Sequence, residues 1–488
     1  MSDASTSDYL HGLVDELLKL PEETSWVEFK ENKSKPEEIG EYLSALSNSA
    51  AVAGKANGYL VWGVHDKTHA VVGTSFKPAQ AKKGNENLEH WLVRLLSPRL
   101  DFRFNNFTYE GKPVVVLEVP RAPGRPVQFQ GDEYIRIGSY CKKLKDYPQI
   151  ERKLWRVFDN TPFEELTAKE RVDADAVLSL LDYPSYFELL NQPLPTSRDK
   201  ILGRLKEDRM ITPDQAGGWN ITNLGAILFA KNLSSFGGLS RKAVRVIVYQ
   251  GKGRQNTIRE QVSGKGYASG FEGLIEFVNN LVPRNEVIGQ AIRKEVPMYP
   301  ELAIRELMVN AIIHQDFSIT GAGPMVELFA DRMEITNPGI PLMSTERFLD
   351  APPQSRNETL ASFMRRVGIC EERGSGVDKV VSETEFYQLP APIFETVEGS
   401  TRAILFAHKP LRDMDRADRT RACYLHACLR YVERHPMTNS SLRKRFGIEE
   451  KNSATASRII REAIEEGIVK PYDPEQGKKY SKYIPYWA

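Results

Sequence analysis

The sequence lacks the long hydrophobic run and the cysteine pairs that define two large classes of protein. It contains no stretch of about 18 consecutive apolar residues, and its first residues (MSDASTSDYL) are polar and acidic where a signal peptide is basic and then apolar. Its four cysteines, Cys141, Cys370, Cys423 and Cys428, form no CxxC pair. We therefore expect a cytoplasmic protein with reduced thiols, and the spacing argues against a disulfide scaffold or a zinc ribbon.

Charge bias, repeats and a Walker phosphate loop are also missing. Lys and Arg total 66 against 65 Asp and Glu, and 41% of the residues are hydrophobic, as in ordinary soluble proteins. Neither an internal repeat nor a low-complexity tract is present. No GxxxxGK[ST] motif occurs, which argues against a motor helicase.

The 488 residues predict roughly three domains by length, and the pattern along the chain indicates an α+β protein with four segments. Residues 1–160 mix short strand-like runs with two helical patterns. Residues 161–290 are mainly helical and contain one good strand, typical of a connector with a winged-helix character. Residues 291–410 alternate helix and strand, and residues 411–488 show helix, turn, helix and a Gly/Lys/Tyr-rich ribbon.

One helical segment, RELMVNAIIHQD, places a carboxylate and an amide on the same face. Glu306 and Asn310 are one turn apart, opposite an apolar stripe. Further along, Asn337-Pro338-Gly339 ends a strand pair, and Gly374-Ser375-Gly376 opens a helix whose bare amide groups could receive a phosphate. Each fragment alone also fits a solvated helix face or an ordinary turn.

Taken in this order, the fragments resemble the nucleotide-binding domain of the GHKL ATPases over residues 295–405. The resemblance implies an α/β sandwich that binds ATP or ADP with Mg²⁺ held by Asn310, and weak ATP hydrolysis in which Glu306 orients or deprotonates the water. It also implies that Asn337, where the family has aspartate, accepts a hydrogen bond from the adenine amino group. Gly339, Gly374, Ser375 and Gly376 complete the implied nucleotide site. The second glycine of the strand-end motif is missing, because Ile340-Pro341 follows Gly339.

A second candidate site consists of three acidic residues near the amino end. Glu23 and Glu28 flank the strand-like segment WVEFK, and Asp66 follows the strand-like segment 58–64. Acids at the ends of neighbouring strands can supply oxygen ligands to a divalent metal. Equally, Glu28 and Lys30 could form a surface ion pair of little energetic value.

The sequence around these acidic residues resembles the AlbA-like domain of Schlafen proteins, from residue 20 to about residue 150. The matching segments are Glu28-Phe29-Lys30, ALSNS at residues 45–49, GYLVWGVHD at residues 58–66 and YIRIGS at residues 134–139. The resemblance implies a metal-dependent endoribonuclease in which Glu23, Glu28 and Asp66 bind Mg²⁺ or Mn²⁺ and catalyse cleavage of the nucleic acid. The same sequence pattern also occurs in bacterial regulators. The domain is present once in this sequence, so two chains would have to pair to form a clamp.

The last 78 residues carry 16 Lys and Arg against 11 Asp and Glu, a possible nucleic-acid footprint. Capping segments at Met437–Ser440 and Asn452-Ser453, with glycines at Gly447 and Gly467, predict two short helices with helix-turn-helix spacing, followed by a basic wing. A winged helix that contacts protein is the alternative. The expected nucleic-acid contacts are Ser440, Arg443, Lys444, Arg445, Arg458 and Arg461.

Two functions remain open. The first is a nucleotide-gated, metal-dependent Schlafen-type endonuclease acting on RNA or DNA, which on family resemblance would suit defence against phage. The second is an ATP-responsive transcriptional regulator that binds DNA without cutting it. Both predict a homo-oligomer, a dimer or higher. His314, at the end of the Glu306 helix, is expected to be a helix-end cation or a satisfied partner.

Overall fold

The computed structural model describes the whole chain except residues 1–2, 21–23, 161, 215–216, 289–292, 351, 372–374, 474, 476 and 478–480. The chain divides into two compact units. The first contains Met1–Pro162, Glu170–Asp173 and Thr212–Asn220. The second contains the rest, namely Phe163–Lys169, Ala174–Ile211 and Ile221–Ala488.

Helices and strands alternate along both units, which confirms the α+β multidomain class. The α-helices of the described residues are α1 (Asp3–Leu18), α2 (Pro36–Val52), α3 (Leu88–Leu95), α4 (Pro148–Asn160), α5 (Ala174–Leu180), α6 (Tyr183–Leu189), α7 (Arg198–Glu207), α8 (Asn223–Phe229), α9 (Tyr267–Leu281), α10 (Glu301–Ile313), α11 (Glu358–Arg366), α12 (Gly376–Phe386), α13 (Arg416–Val432), α14 (Asn439–Phe446) and α15 (Ser453–Glu465).

The strands of the same residues are β1 (Val27–Lys30), β2 (Asn57–Trp62), β3 (Lys82–Lys83), β4 (Glu86–Asn87), β5 (Leu96–Ser97), β6 (Arg103–Tyr109), β7 (Lys112–Pro120), β8 (Gln128–Phe129), β9 (Asp132–Ile137), β10 (Tyr140–Lys143), β11 (Thr167–Val172), β12 (Ile211–Pro213), β13 (Trp219–Thr222), β14 (Arg245–Tyr249), β15 (Thr257–Val262), β16 (Arg284–Ile288), β17 (Arg293–Pro297), β18 (Met325–Leu328), β19 (Arg332–Pro338), β20 (Ile393–Val397), β21 (Ser400–Phe406), β22 (Met437–Thr438), β23 (Val469–Pro471) and β24 (Lys482–Pro485).

The first unit is built on a four-stranded sheet of order β1-β2-β7-β6, in which β1 and β2 are parallel. Every residue of β2 is buried, because the strand alternates between two cores. Tyr59 and Val61 pack in the cluster that includes residues of α1, whereas Leu60 and Trp62 pack in the cluster that includes residues of α2. A helix covers each face, so the central strand is apolar on both sides.

Helix α2 is attached to the rest of this unit by buried polar side chains from the ALSNS segment. Ser47 Oγ donates to the Pro120 carbonyl at 2.7 Å. Asn48 donates to the carbonyls of Val127 and Tyr134 at 3.0 and 2.9 Å and accepts from the Val127 amide at 2.8 Å. These bonds satisfy backbone groups of loop 120–127 and strand β9 that would otherwise be buried without partners. The motif is therefore a fold element.

The second unit contains a six-stranded sheet of order β15-β14-β18-β19-β21-β20, parallel only between β14 and β18. Helices α10 and α12 pack against one another, and α10 also packs on β19. Buried apolar residues on α10 include Ile304, Leu307, Met308 and Ile312. This layer of helices on a sheet extends beyond the expected range 291–410, because β14 and β15 belong to the sheet and lie before residue 291.

The last part of the second unit contains α13, α14, α15 and a three-stranded sheet of order β22-β24-β23. Thr438 and Ser441 form a reciprocal capping box at the start of α14, and Gly447 ends that helix in a left-handed conformation with φ 63°. We call α13–β24 the C-terminal module. Within the described ranges, none of the helices combines the length and the apolar character needed to cross a membrane.

Candidate functional site: a cleft on helix α10

Helix α10 presents Glu306 and Asn310 to a cleft in the second unit. Both side chains are half-buried, since the opposite side of the helix is packed in the core. The cleft contains about 1290 Å³ of space, part of it open to solvent.

The lining of the cleft combines apolar and polar side chains, as small-molecule sites do. Its apolar lining includes Ile335, Ile340, Pro341, Leu342, Met343, Phe348, Phe394 and Ala403. Its polar lining includes Glu306, Asn310, His314, Asn337, Arg356, Arg365 and Thr401.

The start of helix α12 lies directly against Glu306 and Asn310. A Cβ atom added to Gly376 would lie 2.9 Å from Glu306 Oε2 and 3.5 Å from Asn310 Nδ2. The bare Cα therefore preserves the open space in front of both polar groups. Ser375 is the residue before the helix and Gly376 is its first residue; Gly374 lies outside the described residues. An oxygen-rich pair beside a helix start fits a Mg²⁺-bound phosphate group.

Strand β19 brings Asn337 to the same cleft, but Gly339 is not part of its lining. Asn337 is buried and its Nδ2 donates to the Pro338 carbonyl at 3.2 Å. Gly339 has φ 101°, and a Cβ there would lie 2.7 Å from Asp316 Cβ, so only glycine fits this turn. Thr401, which the sequence motifs did not include, lines the cleft and donates to the Gly339 carbonyl at 2.7 Å.

A lysine on α12 is paired with the candidate catalytic glutamate. Lys379 Nζ lies 3.3 Å from Glu306 Oε1 and also pairs with Glu371. Burial alone would lower the pKa of Lys379, but the two carboxylates raise it. Sequence reasoning missed this residue. Its position three residues after Gly376 was the available signal, because that spacing returns to the same helix face.

His314 and Arg356 are two further cleft residues. Burial, together with the nearby Arg356 guanidinium, lowers the pKa of His314 to about 4, so the imidazole is neutral at physiological pH. Of the two expectations for this residue, a helix-end cation or a satisfied partner, the lowered pKa argues against the cation. Arg356 itself donates to the Ile340 carbonyl at 2.6 Å and pairs with Asp316 at 3.3 Å.

The far end of α12 is bonded to the C-terminal module. His426 Nδ1 on α13 lies 2.9 Å from Glu385 Oε2, and its Nε2 lies 3.0 Å from Ser441 Oγ on α14. Arg445 on α14 donates to the Leu389 carbonyl at 2.6 Å. His426 and Arg445 are both buried, so these contacts exclude water. One helix thus touches the cleft at its start and the C-terminal module at its end.

The acidic residues of the first unit have a different environment. Glu28 is only 1% exposed, and its carboxylate accepts from Tyr42 Oη at 2.9 Å and pairs with both Lys30 and Arg136. Asp66 is exposed, and its nearest recorded partner is His65 Nδ1 at 3.5 Å. Glu23 lies outside the described residues. A carboxylate already occupied by two cations and a hydroxyl does not fit the role of a metal ligand.

Among the described residues, no group of three or more His, Cys, Asp or Glu side chains is placed to hold a metal ion.

The basic residues of the C-terminal module divide into exposed and buried groups. Ser440, Lys444, Arg458 and Arg461 are exposed, and no ion pair is recorded for either arginine of α15 within the described part of the chain. Arg443 is half-buried, and its Nε donates to Asn439 Oδ1 at 3.1 Å. Arg445 is buried, as described above, and so is not available to a phosphate. The ribbon tip, residues 478–480, lies outside the described residues.

Comparison with known protein families gives two matches. Residues 23–145 match the family model described as "Schlafen, AlbA_2". Residues 321–405 match the one described as "Putative ATP-dependent DNA helicase recG C-terminal". Both expected domain types are present. The AlbA-like domain contains Glu28 and Asp66, and the GHKL-type domain contains Asn337, Gly339 and Gly376.

Comparison with solved structures gives low overall similarity. The DIP2311 protein from Corynebacterium diphtheriae is 17% identical, with a TM-score of 0.42, over 99% of this chain and 98% of that chain. The N-terminal domain of a RecG-related protein from Nitrosomonas europaea, a "Putative ATP-dependent DNA Helicase", is 24% identical, with a TM-score of 0.19, over 27% of this chain and 89% of that chain. Among curated proteins, no match is found.

The two family matches indicate an ATP-dependent, nucleic-acid-related protein that uses a nucleotide and Mg²⁺.

Proposed function

We propose that the protein is a nucleotide-responsive regulator that binds nucleic acid, with the cleft as its input and the C-terminal module as its output. The observation that carries this proposal is the placement of helix α12. Its first residue, Gly376, lies against Glu306 and Asn310, while Glu385 near its end is bonded to buried His426. A change at the cleft therefore has a direct physical route to the module.

The input is ATP or ADP with Mg²⁺. Asn310 would hold the metal ion through its amide oxygen, and Glu306 would orient or deprotonate water in a slow hydrolysis. Asn337 would accept a hydrogen bond from the adenine amino group, which is consistent with its burial at the cleft wall. Gly376 would leave room for the phosphates in front of the helix start.

Coupling requires that the nucleotide bind one arrangement of α12 better than another. The Lys379 ammonium provides this difference in nucleotide affinity, since a phosphate would compete with Glu306 and Glu371 for the ammonium group. Any resulting shift of α12 would be transmitted by the buried bonds at its far end. Breaking a buried pair by removing one partner costs about 3–5 kcal/mol, so the far end should move together with the module.

The output surface is a winged helix that binds duplex DNA. Arg458 and Arg461 on α15 are the proposed base-edge contacts, and Ser440, Arg443 and Lys444 on α14 the proposed backbone contacts. We leave Arg445 out of this set, because it holds α14 against Leu389.

The endonuclease hypothesis needs Glu23, Glu28 and Asp66 to share a metal ion, Mg²⁺ or Mn²⁺. The pairing of Glu28 with Lys30 and Arg136 argues against it, because that carboxylate would first have to leave two cations in a buried site. Geometry therefore favours binding without cleavage. A role in phage defence stays a prediction without a residue to support it.

One experiment separates these possibilities. Purified protein is incubated with labelled duplex DNA, single-stranded DNA and transfer RNA, with Mg²⁺ or Mn²⁺, in the presence and absence of ATP or ADP. We expect duplex binding without cutting, and a nucleotide-dependent change in Kd of at least about fivefold, the lower end of usual coupling between sites. Metal-dependent cutting that Asp66→Ala abolishes would instead establish the nuclease.

Two variants test the route through α12. Arg458→Ala with Arg461→Ala should weaken DNA binding with and without nucleotide, whereas His426→Ala should leave nucleotide binding intact and reduce the nucleotide effect on DNA binding. Nucleotide that binds but leaves the Kd for DNA unchanged in the unsubstituted protein would contradict the proposal. An equal nucleotide effect in His426→Ala would remove α12 as the route.

A further inference from the structure

The loop that follows strand β19 forms one wall of the cleft. We call residues 340–350 the wall loop. Five of its side chains line the cleft, and all five are apolar: Ile340, Pro341, Leu342, Met343 and Phe348. Ile340 and Leu342 are 57% and 44% exposed. Large apolar side chains exposed beside a cleft provide a surface for the flat apolar face of a ligand.

The wall loop starts beside the position proposed for adenine. Only two residues separate Asn337 from Ile340, the first residue of the loop. Arg356 donates to the Ile340 carbonyl at 2.6 Å, which fixes the start of the loop. A base that is hydrogen-bonded to Asn337 would therefore lie next to the wall loop.

The middle of the wall loop is held by the C-terminal module and by the two residues that follow it. Tyr424 Oη on α13 donates to the Glu346 carbonyl at 2.6 Å and accepts from Trp487 Nε1 at 3.1 Å. Tyr486 Oη donates to the Glu346 carboxylate. The Arg347 guanidinium lies over the Trp487 ring, 4.8 Å from its centroid. We call Tyr424, Tyr486 and Trp487 the anchor residues.

The next two residues of the wall loop connect the cleft with the C-terminal module. Phe348 lines the cleft, and its ring lies 5.6 Å from the ring of Phe394, another lining residue. Leu349 belongs to the buried hydrophobic cluster that also contains Leu425 and Cys428 of α13. Adjacent Cα atoms are held 3.8 Å apart, so a movement of either residue also moves the other.

We infer that the wall loop binds the adenine base of the nucleotide, with Phe348 as a contact residue, and that the anchor residues determine the position of the loop. The anchor residues are positioning residues, since they act on the base only through Glu346 and Arg347. The inference rests on the proposed nucleotide function and adds a second connection between the cleft and the C-terminal module. Helix α12 lies at the phosphate end of the proposed site, whereas the wall loop lies at the base end.

The affinity for nucleotide then depends on how often the wall loop is in place. If the loop is in its binding position in a fraction of the molecules, the apparent Kd is the intrinsic Kd divided by that fraction. Each hydrogen bond between the loop and an anchor residue contributes about two- to tenfold to this equilibrium. Because coupling is reciprocal, bound nucleotide favours the anchored loop and changes the surroundings of Trp487.

Two tyrosine substitutions test the anchor residues. Tyr424→Phe leaves the Glu346 carbonyl and Trp487 Nε1 without their partner, and Tyr486→Phe removes the bond to the Glu346 carboxylate. Each should raise the Kd for Mg²⁺–ADP about two- to tenfold in titration calorimetry. Tyr431→Phe is the matched control, because Tyr431 also lies on α13, makes no hydrogen bond through its hydroxyl within the described part of the chain, and keeps its ring as phenylalanine. It should leave the Kd unchanged, and thermal unfolding checks that all three variants are folded.

The fluorescence of Trp487 gives a readout that does not depend on affinity. The other tryptophans all lie in the first unit: Trp26, Trp62, Trp91, Trp155 and Trp219. Saturating Mg²⁺–ADP should change the emission of the unsubstituted protein, and this change should be lost in Trp487→Phe. Mg²⁺–pyrophosphate, which has no base, should leave the emission unchanged.

An unchanged Kd for ADP in both Tyr424→Phe and Tyr486→Phe would overturn the inference. So would an emission that saturating ADP leaves unchanged, or an emission change that persists in Trp487→Phe or that pyrophosphate reproduces. Absence of ADP binding to the unsubstituted protein is a different result, because it would refute the proposed nucleotide function itself.

Discussion

Replacing Gly376 with alanine tests the cleft at its narrowest point. The added methyl group would lie 2.9 Å from Glu306 Oε2, closer than a normal contact between a Cβ and an oxygen atom. The carboxylate is the end of a flexible side chain, so it can move by a few tenths of an ångström and the fold should survive. The space in front of Glu306 and Asn310, where a phosphate with its Mg²⁺ would lie, is then partly filled.

The Gly376→Ala substitution changes the free energy of unfolding through two effects of opposite sign, the strain at the new methyl group and the higher helix propensity of alanine. Alanine favours a helix interior over glycine by about 0.5–1 kcal/mol, and a smaller gain at this first helical residue offsets part of the strain in the folded protein. Nucleotide affinity receives no such compensation. We expect the Kd for Mg²⁺–ADP to rise tenfold or more, a loss of at least about 1.4 kcal/mol of binding free energy.

Titration calorimetry with ADP and excess Mg²⁺ measures the change, and thermal unfolding checks the fold. Gly273→Ala is the matched control, because Gly273 lies inside α9 and a Cβ there meets nothing within 4 Å. It should raise the melting temperature slightly and leave the affinity unchanged. Equal affinity in Gly376→Ala and the unsubstituted protein would refute the placement of the phosphates at the start of α12.

Three further substitutions have defined outcomes. Asn310→Ala should weaken nucleotide binding in Mg²⁺ and reduce the difference between Mg²⁺ and EDTA, and unchanged calorimetry would contradict the metal role. Glu28→Gln should lower the unfolding free energy by about 3 kcal/mol in urea titration, since it removes the charge that balances buried Arg136 and half-buried Lys30, whereas exposed Asp66→Asn should change it by under about 0.5 kcal/mol. Burial and, to a smaller extent, Glu433 raise the pKa of Asp378 to about 6, so the folded protein loses stability as the pH rises from about 4 to 6. Asp378→Asn should therefore stabilise the protein by roughly 1–2 kcal/mol at pH 8, after allowance for partial exposure, and should not stabilise it at pH 3.5. Thermal melts at both pH values measure this difference.

The local sequence pattern was sufficient to predict most of the helices that form the cleft. The apolar spacing in RELMVNAIIHQD predicts a helix over residues 300–314, and α10 is Glu301–Ile313. The segment after Gly376 is α12, as expected. Strands β20 and β21 were not predicted, because their residues are mostly half-buried and lack the clear alternation of a strand with one dry face.

The polar residues of the cleft could be predicted from the sequence, but the surroundings of the acidic residues in the first unit could not. Glu306 and Asn310 are four residues apart, so helix geometry alone places them together. Glu28 and Arg136 are separated by more than a hundred residues, and only the packing of β9 beside α2 brings the guanidinium to that carboxylate. A sequence motif shows that an acid is present without showing which cations have already neutralised it.

The two ends of α12 differ in how firmly they are held, and this difference sets where movement starts. At the far end, His426 and Arg445 are buried and bonded to Glu385 and Leu389. At the cleft end, the pair between Lys379 and Glu306 is partly buried and reaches only 3.3 Å, longer than the 2.9 Å between His426 and Glu385. The longer pair at the cleft is also the one that faces the bound phosphate, so the phosphate would displace it first. The Glu306 oxygen that faces Lys379 would then be free to accept a hydrogen bond from water, so hydrolysis should follow nucleotide binding and the shift of α12 rather than precede them.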